Sequence, residues 1–378
     1  MRIGIDGIPL SGKKTGVGHY TFEIAHGLAT ALPQEEFHVL SHLPFDAAAI
    51  ATNSSESTNL RFSQPSVNSL TRHWWTIGLP LYIRRHGIDL FHGTNYDIPV
   101  WSGCPTVLTI HDLSPFLYAE THVQRHVRRA RRRLPTMARL ATRIIVPTES
   151  VKGEVCEHLG VSAEKISVTY GAPRKCFYPE ESAKAEAVLK RLNIEQSFIL
   201  YVGTIEPRKN VLTLVKAFEE IYRTTEHRPQ LVIAGPRGWL SDNMFAHVER
   251  SEVKERISLT GYLDDEDLRA LYSTCAVFSY PALYEGAGLP PLEAMVCGAP
   301  VVTSNARAIS EMVGDAAVRL PAQDHEALAA SLVELLTDVH ARKALSIRGL
   351  KQVGQFTWDR AAAATYETYL DAIAQRTK

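Results

Sequence analysis

The sequence lacks the features that mark several classes of protein. Its 378 residues carry a formal net charge of +0, so the total charge predicts no polyanionic partner. Its 5 cysteines are far apart and form no C-x-x-C pair, which argues against a disulfide framework and against a zinc site. No apolar run reaches the length of a membrane span, and the opening MRIGIDGIPL is too short and too broken for a signal peptide. We therefore expect a cytoplasmic protein.

The length and the apolar pattern predict two α/β domains. A chain of 378 residues with 45% hydrophobic and 22% charged residues is typical of a globular protein with two domains. Short apolar runs at 2–6, 37–40, 88–92, 106–111, 143–147 and 165–170 alternate with helical patterns at 19–32, 73–86 and 123–140. Further runs at 198–202, 230–234, 257–259, 276–279 and 300–303 alternate with helices starting near 210, 265 and 291. This alternation predicts two doubly wound, Rossmann-like parallel sheets facing a cleft.

The domain boundary is predicted in the polar stretch GAPRKCFYPEES at 171–182, where the apolar periodicity stops. The first domain is expected at 1–172 and the second at 177–357. From residue 325 the pattern is helical, with a break at FTWD before a last amphipathic helix at 360–374. The Ser- and Asn-rich stretch 53–68 predicts a surface loop.

Two stretches of the second half predict a ligand site. YEGAGLPPLEAMVCG at 284–298 places Glu285 and Glu293 on either side of a Gly-Pro turn that opens a helix, so backbone amides and carboxylates can surround one pocket. Arg208 and Lys209 stand directly before the predicted helix N-cap Asn210, an arrangement that suits a phosphate or a diphosphate. The alternatives are a helix start with solvated glutamates and a solvated pair of cations.

The first half offers two weaker signals. The loop SGKKTGVGHY places Gly12, Gly16 and Gly18 after the first strand; it matches neither the Walker loop nor the dinucleotide fingerprint, and a plain turn explains it almost as well. His111 and Asp112 follow a buried strand, and the carboxyl ends of parallel strands are where such sheets bind ligands. The alternative is a capping aspartate beside a core histidine.

A third signal is an asymmetry of charge. No acidic residue lies between Glu120 and Glu149, while eight arginines fall on a predicted helix: Arg125, Arg128, Arg129, Arg131, Arg132, Arg133, Arg139 and Arg143. Interleaved Val127, Leu134, Met137 and Leu140 predict an apolar side for this helix. The basic side of this helix could bind anionic lipid headgroups, a phosphorylated acceptor, or RNA or DNA. The alternative is a basic face that contacts only solvent.

Taken together, these motifs resemble those of the retaining glycosyltransferases of family 4, a group with the GT-B fold that includes bacterial mannosyltransferases of cell-surface polysaccharide assembly. The resemblance runs nearly end to end. It rests on the G-V-G-x-Y loop, the His111-Asp112 pair, VPTES at 146–150, VGTIEPRKN at 202–210 and the closing FTWDRAA. The E-x7-E spacing around GLPPLEAM is the most specific part.

The resemblance implies roles for individual residues. Glu293 should bind the ribose of a donor nucleotide, Glu285 and His111 should lie near the donor sugar, and Arg208 and Lys209 should neutralise the leaving diphosphate. Donor contacts are also implied for Gly16, Gly18, Gly203, Thr204, Ala287, Gly288 and Leu289. Relatives often carry Phe where this chain has Ala287 and Arg where it has Thr204. The closing helix, 358–378, should cross back to the first domain.

The resemblance also implies a reaction. We expect a metal-independent, retaining transfer of a hexose, with GDP-mannose as the expected donor, to a lipid-linked saccharide of an O-antigen or exopolysaccharide. The first domain would bind the acceptor and the second the nucleotide sugar. Arg125, Arg128, Arg129 and Arg132 would meet the cytoplasmic face of the inner membrane or the acceptor phosphate. A UDP-sugar transferase, an epimerase or phosphorylase of the same fold, and a nucleic-acid-binding protein remain alternatives, although neutral charge disfavours the last.

Overall fold

The chain forms two units, which the computed structural model describes over residues 1–12, 14–50, 58–68 and 71–376. Unit 1 comprises residues 1–113, 128–171 and 357–378, and unit 2 comprises residues 114–127 and 172–356. The predicted domain ranges put residues 114–127 in the first domain, whereas their contacts group them with unit 2. One such contact is the hydrogen bond that Trp239 Nε1 donates to the carbonyl of Thr121 at 2.9 Å.

The strands are short and mostly buried. In unit 1 they are Arg2–Asp6 (β1), Glu36–Leu40 (β2), Leu60–Ser63 (β3), Leu90–Gly93 (β4), Thr106–Thr109 (β5), Arg143–Val146 (β6) and Ile166–Val168 (β7). In unit 2 they are Phe198–Val202 (β8), Gln230–Ala234 (β9), Ile257–Gly261 (β10), Val277–Tyr280 (β11), Val301–Ser304 (β12) and Val318–Leu320 (β13). The central strands are continuous apolar runs because helices cover both faces of a parallel sheet.

Helices connect the strands. The first group is Gly16–Ala31 (α1), Ala47–Ile50 (α2), Leu79–His86 (α3), Ser114–Leu117 (α4), Gln124–Leu140 (α5) and Glu149–Leu159 (α6). The second group is Ser182–Arg191 (α7), Val211–Thr224 (α8), Asp242–Arg250 (α9), Asp265–Thr274 (α10), Leu289–Val296 (α11), Arg307–Val313 (α12), His325–Thr337 (α13) and Val339–Val353 (α14). The last helix is Trp358–Arg376 (α15).

Each unit holds one parallel sheet, as predicted. The order is β3-β2-β1-β4-β5-β6-β7 in unit 1 and β10-β9-β8-β11-β12-β13 in unit 2. In both sheets the strand order reverses direction at the first strand of the unit, so β1 pairs with β2 and β4, and β8 pairs with β9 and β11. Such a reversal opens a crevice at the carboxyl ends of the strands, which is where doubly wound sheets bind ligands.

The strands β3 and β13, which lie at one edge of each sheet, were not predicted. The expected surface loop 53–68 instead contains β3, whose Phe62 packs on Phe45 with ring centroids 5.6 Å apart; residues 53–57 lie outside the described residues. Strand β13 has three residues and pairs with β12. Neither β3 nor β13 contains a fully buried residue, so their apolar pattern is too weak to be recognised.

Two helix predictions need correction. Residues 74–78 form a π-helical turn before α3, because Pro80 has no N–H to donate to the carbonyl four residues earlier. Arg143 does not lie on the arginine-rich helix but begins β6, where its guanidinium donates to the carbonyl of Glu164 at 2.8 Å and forms an ion pair with Asp371 at 3.1 Å.

The closing helix packs on unit 1, as predicted. Helix α15 lies against α1, where a Cβ added at Gly27 would come within 3.3 Å of the Ala362 side chain. Buried polar contacts fix it further: the Tyr369 hydroxyl is 2.7 Å from His92 Nδ1, and the Tyr366 hydroxyl donates to Glu35 at 2.8 Å. In the described part of the chain, no helix combines the length and the apolar character needed to span a membrane.

Candidate active site

The predicted basic pair lies at the point where the strand order of unit 2 reverses. Arg208 and Lys209 are on the short turn after β8, and Glu285 is on the loop after β11. Because β8 and β11 are hydrogen-bonded neighbours whose connections leave in opposite directions, these two loops end at the same edge of the sheet. The structure therefore brings Glu285 together with Arg208 and Lys209, which lie more than 70 positions before it in sequence.

Arg208 is held rigidly. Its Nη2 donates to Glu206 Oε1 at 2.7 Å, and its Nη1 donates to the carbonyl of Tyr284 at 2.9 Å and lies 3.0 Å from Glu285 Oε1. The side chain is 10% exposed, and that of Glu206 is 2% exposed. Such a fork presents a charge with little freedom to reorient, which is the condition for preorganised electrostatic stabilisation.

Lys209 shares the same carboxylate. Its ammonium group contacts Glu285 Oε1 and donates to the Tyr280 hydroxyl at 2.8 Å, and that hydroxyl donates to Glu285 at 3.1 Å. Tyr280 stacks on Tyr201 with ring centroids 5.8 Å apart, which fixes its position. An ammonium has three N–H bonds, so these two contacts leave one for a ligand.

The charges of this cluster are balanced within the protein. Two cations, Arg208 and Lys209, face two carboxylates, Glu206 and Glu285. Burial alone would raise the pKa of Glu285, but attraction to both cations outweighs burial and lowers that pKa to about 2. Burial raises the pKa of Glu206 above its usual range, against the opposing pull of Arg208. Glu285 is thus ionised at neutral pH, and the predicted pair is not a solvated one.

Glu206 was missed by the sequence analysis. The EPRK turn contains it two residues before Arg208, but nothing in that spacing says that its carboxylate is buried and turned toward the guanidinium. Asn210 is the N-cap residue of α8, as predicted, but its side chain does not cap the helix. It adopts a φ of 56° and makes no capping hydrogen bond; its side-chain amide donates instead to the carbonyls of Pro281 at 3.0 Å and Ala322 at 2.6 Å. Asn210 therefore ties the two loops of the site together.

Glycine lets two loops of this edge touch through their backbones. Gly203 and Thr204 follow β8, and Gly235 follows β9. A Cβ added at Gly235 would lie 2.0 Å from the Gly203 carbonyl oxygen, at a φ of 149°. The loop that leads to Arg208 is thus set directly against its neighbour.

Gly235→Ala is expected to destabilise unit 2 by about 1–3 kcal/mol, because the backbone must shift to relieve the overlap and the residue must keep an unfavourable φ. Urea denaturation of the variant measures the loss. The control is Gly153→Ala in the exposed middle of α6, where an added Cβ meets nothing within 4 Å and alanine should be neutral or stabilising. Equal stability of the two variants would contradict the close approach.

The loop before α11 directs backbone amides out of the helix. Gly288 is the N-cap with a φ of 76°, and a Cβ there would lie 3.1 Å from Ile309. Pro290 and Pro291 carry no N–H, so the amides at this helix end come from Ala287, Gly288 and Leu289. The predicted amide cradle therefore has the geometry of a helix N-terminus, beside Glu285 in sequence.

Glu293, on α11, is also paired inside unit 2. Its Oε1 accepts from Arg174 Nε at 2.8 Å, and its Oε2 accepts from Arg174 Nη2 at 3.3 Å and from the Tyr272 hydroxyl at 3.4 Å. Arg174 was missed by the sequence analysis, because the polar stretch 171–182 predicted only a boundary between domains.

His111 lies at the carboxyl end of β5 in unit 1. Its Nε2 is 2.7 Å from the carbonyl oxygen of Thr94, which can only accept, so Nε2 carries the proton and Nδ1 the lone pair. Burial lowers the pKa of His111, so the ring is neutral at pH 7. The Tyr20 ring meets it edge-on, with centroids 4.9 Å apart. The backbone N–H of Asp112 donates to the Tyr96 hydroxyl at 3.0 Å.

The glycine loop of unit 1 has two different parts. Gly16 is the exposed first residue of α1, and a Cβ there would meet nothing within 4 Å. Gly18 is buried, and a Cβ there would lie 2.8 Å from the Pro9 carbonyl oxygen. Packing alone thus explains Gly18, while Gly16 has space around it for a ligand.

The arginine-rich helix α5 presents one basic face. Val127, Leu134 and Met137 are buried, so the apolar side is used in packing and is not available for insertion into lipid; Leu140, which was also predicted on that side, is 43% exposed. At 100° per residue, the exposed arginines that point away from this side lie within one narrow sector; they are Arg125, Arg128, Arg129, Arg132 and Arg139. We call these five the basic face. Arg133 lies to one side of it and forms an ion pair with Asp97.

Comparison with known proteins identifies the family of this chain. Residues 15–172 match the model described as Glycosyltransferase Family 4, and residues 185–352 match Glycosyl transferases group 1. The chain is 32% identical to O-antigen chain mannosyltransferase B of Escherichia coli over 371 residues, which cover 96% of this chain and 97% of that protein. It is 29% identical to the serotype-specific mannosyltransferase WbdA of Escherichia coli over 269 residues, which cover 70% of this chain and 33% of that protein.

Among solved structures, sucrose-phosphate synthase from Thermosynechococcus elongatus superposes with a TM-score of 0.78 at 23% identity, covering 99% of this chain and 100% of that one. The two doubly wound units therefore have the GT-B fold, and the chain is a glycosyltransferase of the hexosyltransferase class. It belongs to the family 4 glycosyltransferases.

Proposed function

We propose that this protein transfers mannose from GDP-mannose to a lipid-linked saccharide during assembly of an O-antigen or a similar polysaccharide. The observation that carries the proposal is the 32% identity, over nearly the full length of both chains, with a protein named for mannosyl transfer to the O-antigen chain. The second relative, WbdA, is also named a mannosyltransferase, and it matches over 70% of this chain.

The site of unit 2 suits the donor in this proposal. Arg208 and Lys209 would bind the diphosphate, the amides at 287–289 would add donors for the same group or for the sugar, and Glu285 would lie near the sugar. Gly203 and Thr204, on the loop set against Gly235, would face the phosphates as well. Glu293 would accept a hydrogen bond from a hydroxyl of the ribose. Gly16, Gly18 and His111 of unit 1 remain proposed contacts of the donor phosphate and of the transferred sugar.

In this reaction the bond between the sugar carbon and the diphosphate oxygen breaks, and positive charge develops on the sugar. The acceptor hydroxyl oxygen forms the new bond to that carbon on the same face, and its proton passes to the leaving phosphate. Stabilising the leaving diphosphate is then the main contribution that the protein can make. Arg208 is fixed by Glu206, so it would meet the developing charge without reorganisation, and we propose no covalent nucleophile and no metal ion.

The purified protein should release nucleotide from GDP-mannose in the presence of a lipid-linked acceptor. UDP-glucose and UDP-N-acetylglucosamine are the comparison donors, and each is tested with and without EDTA. Of the three donors, we expect turnover only of GDP-mannose. EDTA should not change its rate, because arginine and lysine side chains supply the positive charge that stabilises the leaving diphosphate. Turnover of only the UDP donors would refute mannose transfer, and loss of turnover with EDTA would refute the metal-independent mechanism.

For the acceptor side, we propose that the basic face holds the protein at the anionic cytoplasmic surface of the membrane. The apolar side of α5 is buried, so the attraction would be electrostatic, without insertion of the helix. Because surface attraction is screened by salt, binding should weaken steeply as the ionic strength rises. The same face could instead meet the phosphate of the acceptor, and the experiment below distinguishes the two.

Changing Arg125, Arg128, Arg129 and Arg132 together to Gln should lower binding to vesicles containing phosphatidylglycerol by roughly three orders of magnitude, since each arginine near such a surface contributes about 1 kcal/mol and about 1.4 kcal/mol corresponds to a factor of ten. Co-sedimentation measures it. The matched control changes four exposed arginines of unit 2 to Gln, namely Arg228, Arg237, Arg250 and Arg348. Equal vesicle binding with a higher KM for the acceptor would favour acceptor phosphate, and stronger retention on RNA than on vesicles would favour nucleic acid.

A further inference from the structure

Arg174 is placed to control a proposed donor contact. It lies in unit 2 on the irregular segment before α7, yet its side chain is only 12% exposed and its guanidinium is directed at the carboxylate of Glu293, whose side chain is 8% exposed. Its Nε and Nη2 groups donate hydrogen bonds to the two oxygens of that carboxylate. Arginine can make this bidentate geometry and lysine cannot.

The guanidinium is itself fixed from two further sides. Nη1 donates to Asp265 Oδ1, at the start of α10, at 2.5 Å. The Phe177 ring lies under the guanidinium carbon, 4.3 Å from the ring centroid to that carbon. A guanidinium stacked on a ring and bonded at both ends has no other rotamer that keeps these contacts, so it determines the plane of the Glu293 carboxylate.

The hydrogen-bond count leaves Glu293 able to accept once more. An ionised carboxylate has about four lone-pair sites. Within the described residues, three are used by Arg174 Nε, Arg174 Nη2 and the hydroxyl of Tyr272. One remains, which matches a single sugar hydroxyl.

We infer that Arg174 is a positioning residue that orients Glu293 to accept a hydrogen bond from a ribose hydroxyl of the donor nucleotide. The inference rests on the proposed function, since it needs a nucleotide donor at unit 2. It adds a residue outside the E-x7-E stretch, more than 100 positions away in sequence, and makes recognition of the ribose depend on the Arg174 fork.

The competing explanation is a purely structural ion pair. A structural pair and a positioning pair both stabilise the fold, so stability cannot separate them. The two explanations differ in the affinity that they predict for a nucleotide without ribose hydroxyls. If Arg174 positions Glu293, its replacement should remove the advantage of a nucleotide that has those hydroxyls over one that lacks them.

The experiment measures the dissociation constants of GDP and of 2′,3′-dideoxy-GDP for the full-length protein by calorimetry. In the wild type, GDP should bind about tenfold or more tightly than the dideoxy analogue, the value expected for a hydrogen bond to a charged acceptor. Arg174→Gln should bring this ratio close to one, while the dideoxy analogue binds almost as well as to the wild type. Glu293→Gln should lower the ratio in the same way.

Two further variants keep the result interpretable. Arg174→Lys retains the charge without the fork and should give an intermediate ratio. Arg269, on α10, forms a different, partly buried ion pair with Glu180 of the segment that carries Arg174, at 2.6 Å from Nε to Oε2, and donates to the carbonyl of Cys176. Arg269→Gln breaks both contacts. It loosens the segment without touching Glu293, so it should keep the wild-type ratio.

The possible results separate the inference from the proposed function. A wild-type ratio retained by Arg174→Gln, with GDP still bound, would overturn the inference alone. A lowered ratio in Arg269→Gln equal to that in Arg174→Gln would also overturn it, because loosening of the segment would then suffice. If the wild type binds neither GDP nor UDP, the proposed function fails and the inference fails with it.

Discussion

Arg208→Ala is expected to lower turnover by about a hundredfold or more, which is the loss seen when one preorganised donor is removed from a developing negative charge. Three acceptors of its own unit already orient the Arg208 guanidinium, so no other side chain of the cluster can take over its position. Lys209 retains its charge in the variant, and some stabilisation of the leaving diphosphate should survive. Steady-state nucleotide release with GDP-mannose measures the effect.

This prediction needs a control variant that loses stability but keeps its turnover. Removing Arg208 leaves Glu206 buried without its cation, which costs stability in its own right. Arg269→Ala leaves Glu180 in a similar state elsewhere in unit 2, so it should lower the melting temperature while keeping turnover near that of the wild type. Arg208→Lys should lie between the wild type and Arg208→Ala. Unchanged turnover in Arg208→Ala would mean that the diphosphate is held elsewhere.

Asp6→Asn is expected to stabilise the protein at and above neutral pH by up to about 4 kcal/mol, and to have little effect near pH 4. Burial, with a smaller contribution from the nearby Asp97, raises the pKa of Asp6 from 3.8 to about 7, although its Oδ1 accepts from the backbone of Ile8 at 3.1 Å. Asparagine keeps that acceptor and cannot ionise.

The direction follows from proton linkage. The pKa of Asp6 is higher in the folded chain than in the unfolded chain, so the folded state binds the extra proton. Its contribution to stability is complete below the unfolded pKa of about 4 and is lost as the pH rises through about 7. The difference in free energy of unfolding between Asp6→Asn and the wild type should therefore grow over this window and then level off.

Urea denaturation of the wild type and Asp6→Asn at several pH values across this window provides the measurement. Asp359→Asn, which removes one carboxylate from an exposed position at the start of α15, corrects for the change in total charge. A stability difference for Asp6→Asn that is constant with pH would show that the Asp6 carboxyl titrates alike in the folded and unfolded chains.

The secondary structure could be predicted where the apolar pattern was strong. The strands β1, β8 and β9 have the predicted bounds, because four or five consecutive buried residues leave a clear signal. The apolar pattern did not predict β3 and β13, which are edge strands of four and three residues. The candidate site was predictable in part: Glu285, Arg208 and Lys209 were each singled out as site residues, but their pairing with one another was not expected.

The sequence by itself determined the order of strands and helices, the two-sheet architecture and the residue types available at the carboxyl edge of each sheet. These follow from local periodicity and from glycine and proline positions, which act over a few residues. Only the tertiary structure decided which charge faces which. Glu206 fixes Arg208 and Arg174 fixes Glu293 because burial makes an unpaired charge costly, and the partner that relieves this cost is chosen by distance in space, not by spacing in the chain.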